Sequence, residues 1–105
     1  MANLHLKILT CVETEDRVGA DDPQLAVDGQ KVLLPRMRAG EAYPIDAYHA
    51  FDGDDVTITL HEADRLPGNR SDLLGEHTLS EEGSGTLDFT RDGANYQLSY
   101  TLTRS

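Results

Sequence analysis

Strict alternation of apolar and polar side chains is the feature that most limits what this chain can become. Val56, Ile58 and Leu60 alternate with Thr57, Thr59 and His61, and Tyr96, Leu98, Tyr100 and Leu102 alternate with Gln97, Ser99, Thr101 and Thr103. Successive side chains of an extended strand point to opposite faces, so a period of two describes a strand with one buried and one wet face. Leu4, Leu6, Ile8 and Val12 repeat the pattern less cleanly at the start. No stretch longer than about two turns keeps the 3.6-residue period of a buried helix.

Turn residues divide the alternating segments. Asp28-Gly29 and Asp92-Gly93 both stand between strand candidates, and Asp-Gly suits a tight hairpin because both positions tolerate positive φ. Phe51-Asp52-Gly53-Asp54-Asp55 reads as a further solvated hairpin turn, and Glu81-Glu82-Gly83-Ser84-Gly85 as a flexible one. Strands are expected at about residues 4–12, 24–27, 30–34, 43–51, 55–61, 74–79, 86–90 and 94–103. Short strands with hairpin signals imply an all-β chain, a compact eight-stranded antiparallel β-sandwich forming one domain over residues 1–105.

Composition excludes several classes of function. Nine Lys and Arg against 19 Asp and Glu give a formal net charge of −10, the wrong sign for a phosphate backbone, so nucleic acid is not an expected partner. No apolar run approaches the roughly 20 residues that span a bilayer. The opening residues lack the basic region and apolar stretch of a secretory leader, which makes the cytoplasm the expected compartment. The one cysteine, Cys11, lies in a strand and reads as a packed thiol; it leaves no internal disulfide and no cysteine zinc cage. No nucleophile elbow or phosphate-cradling glycine loop is present, so no enzymatic activity is expected.

Two connections are longer than folding requires, and both are acidic. One runs Glu13-Thr14-Glu15-Asp16-Arg17-Val18-Gly19-Ala20-Asp21-Asp22-Pro23, the other Glu62-Ala63-Asp64-Arg65-Leu66-Pro67-Gly68-Asn69-Arg70-Ser71-Asp72. Each comes directly after a strong strand. If those two strands run the same way, the loops leave one end of the sandwich and Asp16, Asp22, Glu62, Asp64 and Asp72 converge. Two carboxylates about 4 Å apart repel by roughly 4 kcal/mol at an effective dielectric near 20, and a hard divalent ion with about six to eight oxygen ligands reverses that sign. Ca²⁺ tolerates irregular loops better than Mg²⁺. Glu15 and Asp21 are reserve ligands. The competing reading is that these loops are simply solvated, with their arginines paired to neighbouring acids.

Asp16 with Asp22-Pro23 six residues later, then Glu62-Ala63-Asp64 with Asp72-Leu73-Leu74-Gly75, and the closing Gly93-Ala94-Asn95-Tyr96-Gln97-Leu98, resemble the corresponding elements of C2 domains, the calcium- and phospholipid-binding β-sandwich family. Glu62 stands where the family usually has Asp. The resemblance spans almost the whole chain and implies a divergent C2-like β-sandwich that binds Ca²⁺ at its acidic end and docks on anionic membrane. Arg17 and Val18 in the first loop, with Arg65, Leu66 and Arg70 in the other, would make that contact, each Arg near an anionic surface contributing about 1 kcal/mol. Even two Ca²⁺ ions would leave a chain of formal charge −10 strongly negative. A calcium-stabilised structural module that engages a protein partner without lipid is therefore the alternative expectation.

Overall fold

Each alternating strand carries one apolar face, and each such face needs another to cover it. The computed structural model describes residues 1–15, 19–63 and 72–105. Among them run β1 (Ala2–Glu13), β2 (Pro23–Val27), β3 (Gln30–Val32), β4 (Ala42–Phe51), β5 (Val56–Glu62), β6 (Asp72–Leu79), β7 (Gly83–Phe89) and β8 (Asn95–Arg104). They form two four-stranded sheets, β4-β1-β8-β7 and β3-β2-β5-β6, in which all strand pairings are antiparallel. The expected eight-stranded antiparallel sandwich is the observed architecture.

Both sheets contribute to one core. Leu4, Leu6, Leu9 and Cys11 of β1 and Tyr96, Leu98 and Leu102 of β8 are buried, as are Leu25 and Val27 of β2 and Val56, Ile58 and Leu60 of β5. Burying a Val, Leu or Ile side chain stabilises a fold by about 1.5–3 kcal/mol. The central strands therefore hold the layers together.

Several expectations are corrected by the register. Ile8 and Val12 are 44 % and 42 % exposed, while Leu9 and Cys11 are buried. A β-bulge between Leu6 and Ile8 inserts one residue against β8 and shifts the alternation by one position. Opposite it on β4, Asp46 takes a φ of 48°. β3 stops at Val32 rather than continuing to Leu34, and Leu33 is 91 % exposed. Pro35 disfavours continuation because it lacks an N–H and restricts the residue before it. Residues 52–55 form no hairpin: β4 and β5 belong to different sheets, so this segment crosses the sandwich. Residues 83–85 are strand rather than turn, paired with Leu102, Thr101 and Tyr100, and Gly85 lies against the Tyr100 ring.

Asp28-Gly29 is the two-residue hairpin its sequence predicts, with φ of 49° and 82° between the paired Val27 and Gln30. Asp92-Gly93 also takes positive φ, but inside a short 3₁₀ turn, Arg91–Gly93, in a longer connection between β7 and β8. No described helix is long and apolar enough to cross a membrane.

Gly75 of β6 packs tightly against Phe89 of β7: a Cβ there would lie 2.7 Å from Phe89 Cδ1 and 3.1 Å from its Cα. Gly75→Ala is expected to destabilise the fold by about 1–3 kcal/mol through overpacking. Gly53→Ala, whose Cβ would meet nothing nearer than 3.7 Å, should stay within about 0.5 kcal/mol. Urea unfolding midpoints of the two variants check this.

Candidate metal centre

Three strand ends bring Asp22, Glu62 and Asp72 to one end of the sandwich. Pro23 pairs with Glu62 and Glu62 pairs with Asp72, so the start of β2, the end of β5 and the start of β6 lie side by side. Proline opens β2, the strand position where a missing N–H costs least. The loops after β1 and β5 thus leave the same end of the sandwich, as the sequence requires for convergence. A bulge between Leu60 and His61, with Leu74 as the extra residue on β6, lies just before this end. Glu62 falls in the row of Val56, Ile58 and Leu60, at the mouth between the layers.

Hydrogen bonds tie the two loop bases across long sequence separation. The Asp22 amide donates to Glu62 Oε1 at 3.1 Å, and the Ala63 amide donates to the Asp22 carbonyl at 3.0 Å. Asp22 Oδ1 lies 3.5 Å from Arg36 Nε, a guanidinium from the connection between β3 and β4.

Asp21 occupies a different environment from its neighbour. It is 1 % exposed, and its Oδ2 accepts the Tyr96 hydroxyl at 2.7 Å and the Glu15 amide at 2.9 Å. Its backbone exchanges two hydrogen bonds with Met37, at 2.9 and 3.0 Å. Donors of this kind offset the large cost of taking a carboxylate out of water. Cys11 faces Tyr96 across the β1–β8 ladder. Burial pushes the Tyr96 hydroxyl well above its ordinary range, and its hydrogen bond to Asp21 raises it further. Burial also pushes the Cys11 thiol up, a contact with Tyr96 opposes this, and the charges of Asp21 and Glu41 add to it. Cys11 is therefore a packed thiol, not a reactive one.

Of the residues singled out by sequence, Asp22, Glu62 and Asp72 meet at adjacent strand ends, and Glu15 and Asp21 stand beside them. Asp16 and Asp64 lie outside the described residues, as do Arg17, Val18, Arg65, Leu66 and Arg70. Among the described residues, no three or more His, Cys, Asp or Glu side chains form a group able to hold a metal ion. The donor chemistry of Asp22, Glu62 and Asp72 suits a hard oxygen-seeking cation, but these three alone make no cage. The sequence reading did not place Arg36 or Met37 at this end, since a contact across a crossover loop leaves no periodic signal.

No protein-family model matches the chain, and no curated protein matches it in sequence. Among solved structures it is similar to one described as "Structure of a C2 domain", with a TM-score of 0.61 and 15 % identity, covering 99 % of this chain and 100 % of that one. At that identity the likeness is one of fold: the chain has a C2-like β-sandwich.

Tyr96→Phe should cost about 1–3 kcal/mol, because the buried Asp21 carboxylate loses a donor. Both raised groups are neutral in the native state, while their unfolded counterparts ionise above roughly pH 8.5 for the thiol and 10 for the phenol. Their contribution is thus fully present below those values and declines progressively above them, as pH rises toward the raised native values. Alkaline unfolding monitored by circular dichroism should show this decline, weakened in Tyr96→Phe, and native Cys11 should resist thiol reagents at neutral pH.

Proposed function

We propose that this C2-like domain is a binding module rather than an enzyme, and that its acidic end takes up Ca²⁺ and uses it to dock reversibly on an anionic phospholipid surface or on a protein partner. The observation that carries this reading is the lateral register Pro23–Glu62–Asp72, which sets acids from two separate loops at one end of the sandwich. Asp22, Glu62 and Asp72 would supply carboxylate oxygens, with Asp16 and Asp64 from the loops themselves. Glu15 is a reserve donor. Asp21, engaged by Tyr96, orients the loop base. When bound, Ca²⁺ supplies positive charge that reverses the mutual repulsion of the loops and can be shared with a phosphate or carboxylate of the partner. Arg17, Val18, Arg65, Leu66 and Arg70 are the contact side chains on this reading.

The formal charge of −10 favours a second use of the same end. A strongly acidic body is repelled by an anionic bilayer, so the metal could serve to stiffen the loops for a protein partner instead. The two uses share the calcium step and differ in the surface that the loaded end then engages.

Melting in Ca²⁺ and in chelator, with calorimetric titration, tests the shared step. Ca²⁺ at about a hundred times its dissociation constant should add about 2.7 kcal/mol, a rise on the order of 10 °C for a domain of this size. Glu62→Gln should remove most of the rise. Co-sedimentation with phosphatidylserine vesicles then separates the uses: calcium-dependent pelleting selects the membrane, and a melting rise without pelleting selects the protein partner. Neither a rise nor titration heat would end the calcium reading.

A further inference from the structure

The chain carries 19 acidic residues, yet among the described residues Arg36–Asp22 is the single contact of an Arg or Lys side chain with a carboxylate. Its position arises from the backbone. Asp21 and Met37 form an antiparallel bridge with hydrogen bonds in both directions. The register that pairs 21 with 37 sets 22 opposite 36, so Arg36 is the cross-strand neighbour of Asp22. Met37 is 1 % exposed and pins that backbone, whereas the Arg36 side chain is 55 % exposed and can move. Residues 29–40 contain no acid and carry Lys31, Arg36 and Arg38, a cationic segment in an anionic protein. A planar guanidinium on a flexible stem can neutralise a carboxylate without surrounding it.

We propose that Arg36 is a resident counter-cation of the acidic end: it holds Asp22 while Ca²⁺ is absent, yields it when Ca²⁺ arrives, and so raises the calcium threshold of the site. The counter-cation role stands on the ion pair alone; the threshold role rests on the calcium reading above. Arg36 acts on the metal only through Asp22 and is a positioning residue. Metal and guanidinium compete for one carboxylate, so removing the guanidinium weakens the calcium-free fold and tightens calcium binding. The two effects have opposite signs, which a merely structural arginine does not produce.

The test compares Arg36→Gln with Arg38→Gln, which makes the same charge change two residues away. In chelator, Arg36→Gln should lower the melting temperature more than Arg38→Gln, and an added Asp22→Asn should erase the difference. In calcium titration calorimetry, Arg36→Gln should bind about two- to fivefold tighter than the parent, the range expected for loss of a partly exposed ion pair, with Arg38→Gln close to the parent. Equal melting of the two variants in chelator overturns the counter-cation role. Calcium affinity unchanged or weakened in Arg36→Gln, with the parent binding normally, overturns the threshold role and leaves the calcium reading standing. No calcium heat in the parent or either variant overturns the calcium reading and the threshold role together, while the chelator comparison still decides the ion pair.

Discussion

The hydrogen bond from Tyr96 to the buried Asp21 carboxylate is the interaction on which the acidic end depends. Tyr96 belongs to one sheet and Asp21 sits at the base of the loop that enters the other, so the bond spans the sandwich. A carboxylate with 1 % exposure cannot leave its donors without a heavy desolvation cost. It therefore fixes where the first loop returns to the sheet. Asp22 comes next in the chain, and its backbone is bonded to Glu62 and Ala63 at the end of β5. One buried acid thus positions its more accessible neighbour, and through it the meeting of two loops.

The two ends of the sandwich treat negative charge differently. Asp52, Asp54 and Asp55 lie in the crossover before β5, at the end opposite Glu62, and all three are exposed, where water screens them. At the other end Asp22, Glu62 and Asp72 are half-buried and Asp21 is buried, and among the described residues the carboxylates of Asp21, Asp22 and Glu62 meet a guanidinium, backbone amides and a phenol. Repulsion that water does not relieve must be met by the protein or by a bound cation. The same physics links the proposed calcium step to Arg36, since both answer one electrostatic need with different cations.

How much was legible in the sequence depends on how local each signal is. The alternation around Val56–Ile58–Leu60 and Tyr96–Leu98–Leu102 reports its own burial, because a strand's side-chain period is a property of the chain itself. Asp28-Gly29 reports its own turn for the same reason. Ile8 and Val12 misled because a bulge changed the phase between Leu6 and Leu9, and a bulge is a relation between strands. Residues 52–55 carried turn chemistry that could not say whether the next strand joins the same sheet or the facing one. In the candidate centre, the spacing of Asp22, Glu62 and Asp72 was visible. The withdrawal of Asp21 into the interior was not, because its neighbour in sequence has the same side chain and only contacts with Tyr96, Glu15 and Met37 tell them apart.

By itself the sequence determined the strand periodicity, the antiparallel sandwich and the acidity of two loops, since each arises from neighbouring residues and their preference for water or for a core. Only the tertiary structure decided which acids share one end, which acid is buried and which cation faces Asp22. Those outcomes depend on strand register and on contacts between residues far apart in the chain, and no local pattern of side chains encodes them.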